Sequence, residues 1–535
     1  MIPSFCRAIG RAFRVVIGLT AIVLLGTARQ ADAFCGFYVS GTDTKLFNNA
    51  TQVVLMRDGL RTVLSMQNNY QGPPASFAMV VPVPVVLQKE NVKTLPREIF
   101  AKLDELDAPR LVEYWEQDPC DEEKVVEYAP GRAYAPVPPP APMAVGPASL
   151  GVTIEAKFAV AEYDIVILSA KDATGLDTWL RQEKYAIPPG SEPLFRPYIA
   201  AGSKFFVAKV DVAKVKFENG MATLSPLRFH YDAEQFALPV RLGLANSNGM
   251  QDLVVHVLSK TGRFEVANYP NVTIPTNLDV SETARAKFGS FYAALYDATV
   301  AKTKKAVVTE YAWDASTCDP CPGPALYPED FATLGADVLP GGDPAKPAMG
   351  YGGYTLTRLH ARYSRESLGE DLVFRIAPAI TGGREVMMDG KTLEHGATPT
   401  RGANNFQARY AIRHPWGGPI ACKSPRRGIW GGPPVDPSGN VPDSSTKAAK
   451  DLAFVARDVK LASFVRRDIP ELDLTSGGES VSPVVPLGKD GKPLAKTRGC
   501  LGCTAVPRGE GPGGALLAAA GLGGVVLRRK RRAAR

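Results

Sequence analysis

Short apolar runs separated by turn-forming residues recur along the chain, and their spacing predicts a β-rich protein with a few helices. In "TQVVLMRDGLRTVLSMQ" (Thr51 to Gln67), two apolar runs flank Asp58-Gly59, a strong hairpin signal. "ASFAMVVPVPVVL" (Ala75 to Leu87) reads as a buried strand, pushed to an edge or a bulge by Pro82 and Pro84. Further strands are expected at Val152 to Phe158, Asp164 to Ser169, Lys204 to Phe217, Ala222 to Tyr231, Ala237 to Leu244 and Leu253 to Ser259. Three stretches carry helical spacing instead. Thr94 to Leu106 has a Thr cap, an early proline and apolar Ile99, Leu103 and Leu106. Gly175 to Tyr185 buries Leu176, Trp179 and Leu180. Ser281 to Ala298 sets Phe288, Phe291, Tyr292 and Leu295 at i, i+3, i+4, i+7, a stripe that reads as core and not as a cofactor box. The expected class is α+β and β-rich, with predominantly antiparallel, sandwich-like sheets and a few packed helices.

Composition changes this picture at the ends and in the linkers. Ala129 to Pro147 holds seven prolines in 19 residues, so it reads as an extended, polyproline-like loop. A second Gly/Pro-rich stretch covers Trp416 to Ser445, and Thr475 to Gly499 is a polar stalk. The net charge of +8 lies in the termini: residues 1–33 carry +3 and residues 504–535 carry +6, which leaves −1 for everything between. A near-neutral body gives no electrostatic case for nucleic acid as a partner.

The N-terminus has the form of a signal peptide. Arg7, Arg11 and Arg14 precede the apolar run Val15 to Leu25, and "ADA" fits small-x-small cleavage between Ala33 and Phe34. At the other end, the apolar run Ala515 to Leu527 has 13 residues, and six of the last eight residues are basic. A helical span needs about 20 residues, and basic residues after an apolar run favour retention on the cytoplasmic side. The expected organisation is a signal peptide (1–33), a β-rich body (34–430), an extension with a polar stalk (431–499) and a C-terminal signal (500–535).

Two resemblances bear on this organisation. The order Cys motif, apolar run and Arg cluster over Gly499 to Arg535 resembles the MYXO-CTERM sorting signal of myxobacteria. That resemblance implies removal of the tail by an envelope sorting protease, arrival at the cell surface or outer membrane, and Cys500 or Cys503 as the processing or lipid-attachment point. A tail anchored in the inner membrane, with the body facing the periplasm, is the alternative. In the body, "CGFYVS", "FAMVVPVP", "LDTWLRQEKYAIP", "RPYIAAGSKFFVAKV", "PLRFHYDAEQFALPVRLGLAN", "WDASTCDPCPGP" and "FQARYAIRHPWGGPIAC" follow in order. Over Phe34 to Cys422 they resemble domain of unknown function family 2330, whose members are exported bacterial proteins. The resemblance implies no activity and no catalytic residues.

The candidate chemistry is thin. Without the two terminal signals, the cysteines are Cys35, Cys120, Cys318, Cys321 and Cys422, which in an oxidising envelope are expected to form disulfides. One cysteine is left over; the preferred pairing is Cys35–Cys120, with Cys422 joined to Cys318 or Cys321. A redox or zinc role for "CDPC" is disfavoured, because prolines 320, 322 and 324 indicate a loop and no second ligand pair has matching spacing. The five histidines, His230, His256, His360, His395 and His414, show no i, i+4 pair. A Cys422–His414 nucleophile pair is conceivable but conflicts with a disulfide at Cys422. There is no nucleophile elbow. "GEGPGG" at Gly509 follows no strand, which removes a dinucleotide reading. Asp118, Asp121, Glu122 and Glu123 read as a solvated acidic loop.

The expectation is therefore an exported surface or envelope protein that is not an enzyme. It would bind or build, with no cofactor, the membrane engaged through its C-terminus, and a surface partner or ligand the sequence does not name. The alternatives are an envelope hydrolase or thiol-dependent enzyme around Cys318, Cys321 and Cys422, and a subunit of a larger envelope assembly.

Overall fold

A computed structural model describes residues 37–39, 50–68, 78–120, 151–183, 185, 187–218, 221–246, 250–341, 353–364, 366–367, 369–384, 387–388, 392–433, 447–449 and 455–477. The signal-peptide junction Ala33/Phe34, Cys35, the proline-rich stretch 129–147, the stalk beyond 477 and the tail with Cys500 and Cys503 lie outside these residues.

The hairpin forms as its turn dictates. Ala50–Asp58 and Arg61–Asn68 pair from Asp58↔Arg61 to Thr51↔Asn68, and Gly59 takes the positive φ (54°) that the two-residue turn requires. The turn residues are thus Gly59 and Leu60, with Asp58 closing the ladder. Alternate side chains then go to opposite faces. Val53, Leu55, Leu64 and Met66 enter one core, while Val54, Met56 and Val63 enter another. Burial on both faces explains why these strands read as continuous apolar runs.

The hairpin sits inside an 11-stranded sheet. Gln251–Ser259 lies parallel to Ala50–Asp58 and antiparallel to Thr355–Tyr363, which pairs in turn with Val307–Asp314. One face of this sheet packs on a five-stranded sheet ordered Phe37–Val39, Ala78–Val83, Lys204–Val210, Tyr163–Ala170, Val152–Val160. Met79, Val81, Ile165, Ile167 and Phe206 meet Val53, Leu55, Val255 and Phe229 there. The outer face of the five-stranded sheet carries helices Ala173–Gln182 and Glu192–Ala200, against which Val80, Leu168, Phe205 and Val207 are buried. The other face of the large sheet carries helices Glu98–Asp107, Pro328–Leu334 and Phe288–Lys302. The result is a four-layer, β-rich α+β fold with mostly antiparallel sheets, as the pattern predicts.

A second five-stranded sheet is mixed. Arg409–His414 runs parallel to Arg110–Glu116, in register from Arg409↔Arg110 to His414↔Trp115, and Leu278–Asp279 runs parallel to Arg409–His414. Trp430–Gly431 and Lys447–Ala448 pair antiparallel along the free side of Arg110–Glu116.

Several expected elements are divided. Lys204 to Phe217 stops at Val210, because the Asp211 side chain accepts a hydrogen bond from the Ala213 amide and turns the chain. Ala222 to Tyr231 is interrupted before Leu227–Asp232, at Pro226. Of Ala237 to Leu244, only Ala237–Leu238 is strand; Pro239 follows, and Asp371 captures the amides of Val240 and Arg241 to start a tight helical turn. Thr94 belongs to the strand Val92–Thr94, so the helix after it begins at Glu98 without a side-chain cap. The expected 281–298 helix breaks at Lys287 into Thr283–Ala286 and Phe288–Lys302. The Phe288, Phe291, Tyr292 and Leu295 stripe is core. Pro82 pairs with Phe205 on one side, while the described partner strand Phe37–Val39 reaches only Val80 on the other.

Residues 455–477 belong to the body. Phe464, Val465, Ile469 and Leu472 are buried with Phe291 and Tyr410, and Val465 bridges to Val280. No boundary at 430 separates them from the rest. Among the described residues no helix is long and apolar enough to cross a membrane.

Candidate functional site

The parallel pairing of Arg110–Glu116 with Arg409–His414 brings both strand ends to one place, and the chain beyond each end carries a cysteine. Cys120 and Cys422 form a disulfide there, with Cα atoms 5.4 Å apart and a sequence separation of 302. Cys318 bonds to Cys321 across a turn, with Cα atoms 4.9 Å apart. The preferred pairing, Cys35–Cys120 with Cys422 to Cys318 or Cys321, is therefore corrected. Strand register selects Cys422 for Cys120. The turn after Val307–Asp314, in which Asp314 accepts from the Ser316 amide and hydroxyl, closes Cys318 onto Cys321. By loop-closure entropy the long bridge restrains the unfolded chain by about 5–6 kcal/mol and the short one by about 2 kcal/mol.

The bonded sulfurs leave no nucleophile at Cys422. His414 is engaged elsewhere: its Nε2 lies 2.9 Å from Glu113 Oε2, and its ring stacks on Trp115 at 4.6 Å. Glu113 also accepts from Arg285, and Glu116 accepts from Arg427 and from the amides of Trp416 and Gly428. Burial opposes both charges, but the cationic partners and amides win and lower both carboxyl pKa values. Asp118 accepts from the Cys120 amide, which leaves it a turn-forming role; Asp121, Glu122 and Glu123 lie outside the described residues.

Charged residues that interrupt apolar strands meet in a buried polar layer. The Arg358 guanidinium donates to Asp104 Oδ1 (2.6 Å), Asp107 Oδ1 (2.7 Å) and Glu310 Oε2 (2.7 Å). His256 Nδ1 lies 2.6 Å from Asp107 Oδ2. His360 bridges Glu310 (2.7 Å) and Asp252 (3.0 Å), and the Tyr292 hydroxyl donates to Glu310 at 2.5 Å. Burial works against the Glu310 charge, yet His360, Arg358 and Tyr292 hold its carboxyl down at about 2. Burial likewise opposes the His360 cation, and its two carboxylate neighbours outweigh that and raise its pKa.

Asp104, Asp107 and His256 place one ligand atom each within 4.8 Å of one another, a spacing that suits a metal ion. Arg358 already supplies the positive charge at that point, hydrogen-bonded to both carboxylates, so the set reads as an ion-pair layer. Of the remaining histidines, His230 contacts the Asn91 side chain at 3.2 Å, with burial pushing its pKa down to about 4. His395 pairs with Glu471 at the surface. Sequence reasoning missed the layer. The signal was present as polar residues at otherwise apolar positions in "LVVHVL", "VVTEYAWD" and "TLTRLHARY".

The Cys318–Cys321 turn rests on the edge of this layer. Arg110, fully buried, donates to the Pro320 carbonyl at 2.7 Å and to the Leu106 carbonyl, and its guanidinium lies over the Tyr311 ring. Gln407, also buried, donates to the Asp319 and Gly383 carbonyls. Desolvation lowers the Arg110 pKa. Cys318 is partly buried against core residues, and Cys321 is exposed.

Among the described residues, clefts open on the surface. One, of about 360 Å³, lies where Tyr198 donates to Asp371 at 2.7 Å and Arg241 covers the Tyr198 ring. Another, of about 780 Å³, is bounded by Arg384, Glu394 and Arg467. The charges are matched internally, Arg384 with Glu394 and Arg467 with Asp279.

No curated protein and no solved structure matches the chain. A family described as an uncharacterized protein conserved in bacteria matches residues 29–375. The matched span includes the Cys318–Cys321 turn and the polar layer, and it ends before the Arg409–His414 strand and the motif "FQARYAIRHPWGGPIAC". Because the match covers more than half of its length, the chain belongs to domain of unknown function family 2330.

Proposed function

We propose that the protein is an exported, disulfide-bonded envelope protein that works as a non-enzymatic binding or structural module. The observation that carries this reading is the pairing of four body cysteines into two bridges, since disulfides persist in oxidising compartments outside the cytoplasm. The N-terminal signal pattern and the tail's resemblance to a surface-sorting signal support the same address. On this reading the tail is cut near Cys500 or Cys503 by an envelope sorting protease, and the mature body starts at Phe34. The alternative of a hydrolase or other enzyme with a free thiol nucleophile is weakened, because Cys318, Cys321 and Cys422 are all bonded.

The test is intact-mass and peptide mass spectrometry of the protein recovered from native envelopes, alkylated before reduction. The expected result is a chain beginning at Phe34, lacking residues 504–535, with Cys120, Cys318, Cys321 and Cys422 protected from alkylation. A full-length chain with alkylated Cys120 and Cys422 would overturn the reading.

A further inference from the structure

We propose that Cys318–Cys321 is a thiol–disulfide exchange site, a two-electron acceptor that an external dithiol addresses, whereas Cys120–Cys422 is a permanent structural bridge. The inference rests on the envelope reading above and adds a chemistry to it.

The two bridges differ in loop length and in exposure: Cys120, Cys422 and Cys318 are half-buried, and Cys321 is exposed. Cys120–Cys422 joins the ends of two paired strands 302 residues apart, and opening it frees the end of a sheet. Cys318–Cys321 spans three residues and constrains the unfolded chain little. Cys321 is exposed, so an incoming thiolate reaches its sulfur, whereas Cys318 packs against core residues. Exposed disulfides are the labile class. No helix begins at the motif, so no helix dipole activates a Cys321 thiolate as an attacking group. The site is therefore the electrophile, and the thiolate comes from the partner.

The exchange balances. A thiolate of the external dithiol attacks Cys321 Sγ, the Cys318–Cys321 bond breaks, and Cys318 leaves as a thiolate that takes a proton from water. The second thiolate of the partner attacks its own sulfur in the mixed disulfide. Cys321 then departs as a thiolate and is protonated. Two electrons pass from the partner, which becomes a disulfide, to this protein, which becomes a dithiol.

The turn is held at both internal residues, Asp319 by Gln407 and Pro320 by Arg110. These anchors do not depend on the sulfur–sulfur bond, so the turn keeps its place when the bond opens. The fold survives reduction of this bridge, and the change is confined to two sulfurs, Cys321 exposed and Cys318 half-buried.

The experiment is a graded dithiothreitol titration of the folded full chain, first oxidised with glutathione disulfide, then trapped with N-ethylmaleimide and mapped by peptide mass spectrometry. Cys318 and Cys321 are expected to become labelled at one-tenth or less of the dithiothreitol needed for Cys120 and Cys422, a difference of about 30 mV or more. The near-ultraviolet circular dichroism should stay unchanged at that point. The C318A/C321A variant should fold and show no labelling in the low range. Simultaneous opening of both bridges, earlier opening of Cys120–Cys422, or loss of tertiary signal together with Cys318–Cys321 would each overturn the proposal. Prior oxidation makes this result independent of the state recovered from envelopes. Labelled Cys120 and Cys422 in untreated native protein would instead sink the envelope reading.

Discussion

Replacing Arg358 with methionine should remove a large part of the stability of the body. The side chain is 3% exposed and contacts three carboxylates, of which Asp107 and Glu310 are fully buried. Methionine fills much of the same volume, so the main loss is charge compensation. Breaking a buried ion pair by removing one partner costs about 3–5 kcal/mol, because the other charge stays buried. His360 still faces Glu310, and His256 still faces Asp107, which places the expected loss in that range and not above it. The assay is urea unfolding with disulfides intact, followed by tryptophan fluorescence, with the midpoint shift multiplied by the measured slope. The double variant R358M/E310Q removes cation and anion together. It should be less destabilised than the sum of its single changes by about 1–3 kcal/mol. A loss below about 1 kcal/mol for R358M, or strict additivity in the double variant, would refute the reading of this layer as a coupled ionic unit.

Stability should depend on pH at both ends of the range. Glu310 is held at about 2, below its ordinary 4.5, so its contribution is present above pH 4.5 and disappears as pH falls towards 2. His360 is raised above its ordinary 6.5, so its contribution is complete below pH 6.5 and is lost as pH rises through its folded-state pKa. Urea midpoints across pH should show both limbs, and H360Q should flatten the alkaline one. The C120A/C422A variant should lose several kcal/mol, about 2–5, against less than about 2 kcal/mol for C318A/C321A, read by the same unfolding curves. Gly383→Ala should lose more than about 3 kcal/mol or fail to accumulate as folded protein. Gly383 has φ +67°, and an added Cβ would overlap the Gln407 carbonyl oxygen and lie 2.6 Å from Thr276 Oγ1.

What was legible in the sequence was local. Asp58-Gly59 marks a turn whose geometry needs only four residues, and the Phe288 to Leu295 stripe reports one helix face. Pro226 and Pro239 were equally local, and the strands drawn across them ignored the donor that proline lacks. Helix Glu192–Ala200 was hidden because Pro197 lies inside it, where proline argues against a helix. Non-local pairings left no readable trace. The pairing of Arg110–Glu116 with Arg409–His414 joins segments with no common pattern, and it decides the disulfide partner of Cys120. The polar layer shows in sequence only as charges misplaced in apolar strands. Which carboxylate meets Arg358 depends on strand order, which periodicity does not encode.

The Arg110–Glu116 strand also sets the timetable on which the protein can be made. Every strand paired with it among the described residues lies between 409 and 448. The nearby bridge closes over 302 residues, which a ribosome adding about 5–20 residues per second needs roughly 15–60 s to supply. Through that interval Leu111 and Val112, buried in the finished sheet, lie on a strand with two unpaired edges. A chain that stalls or is cut anywhere in this stretch retains an unfinished sheet and becomes a substrate for aggregation or proteolysis. The last quarter of the chain thus decides whether the earlier part was worth translating.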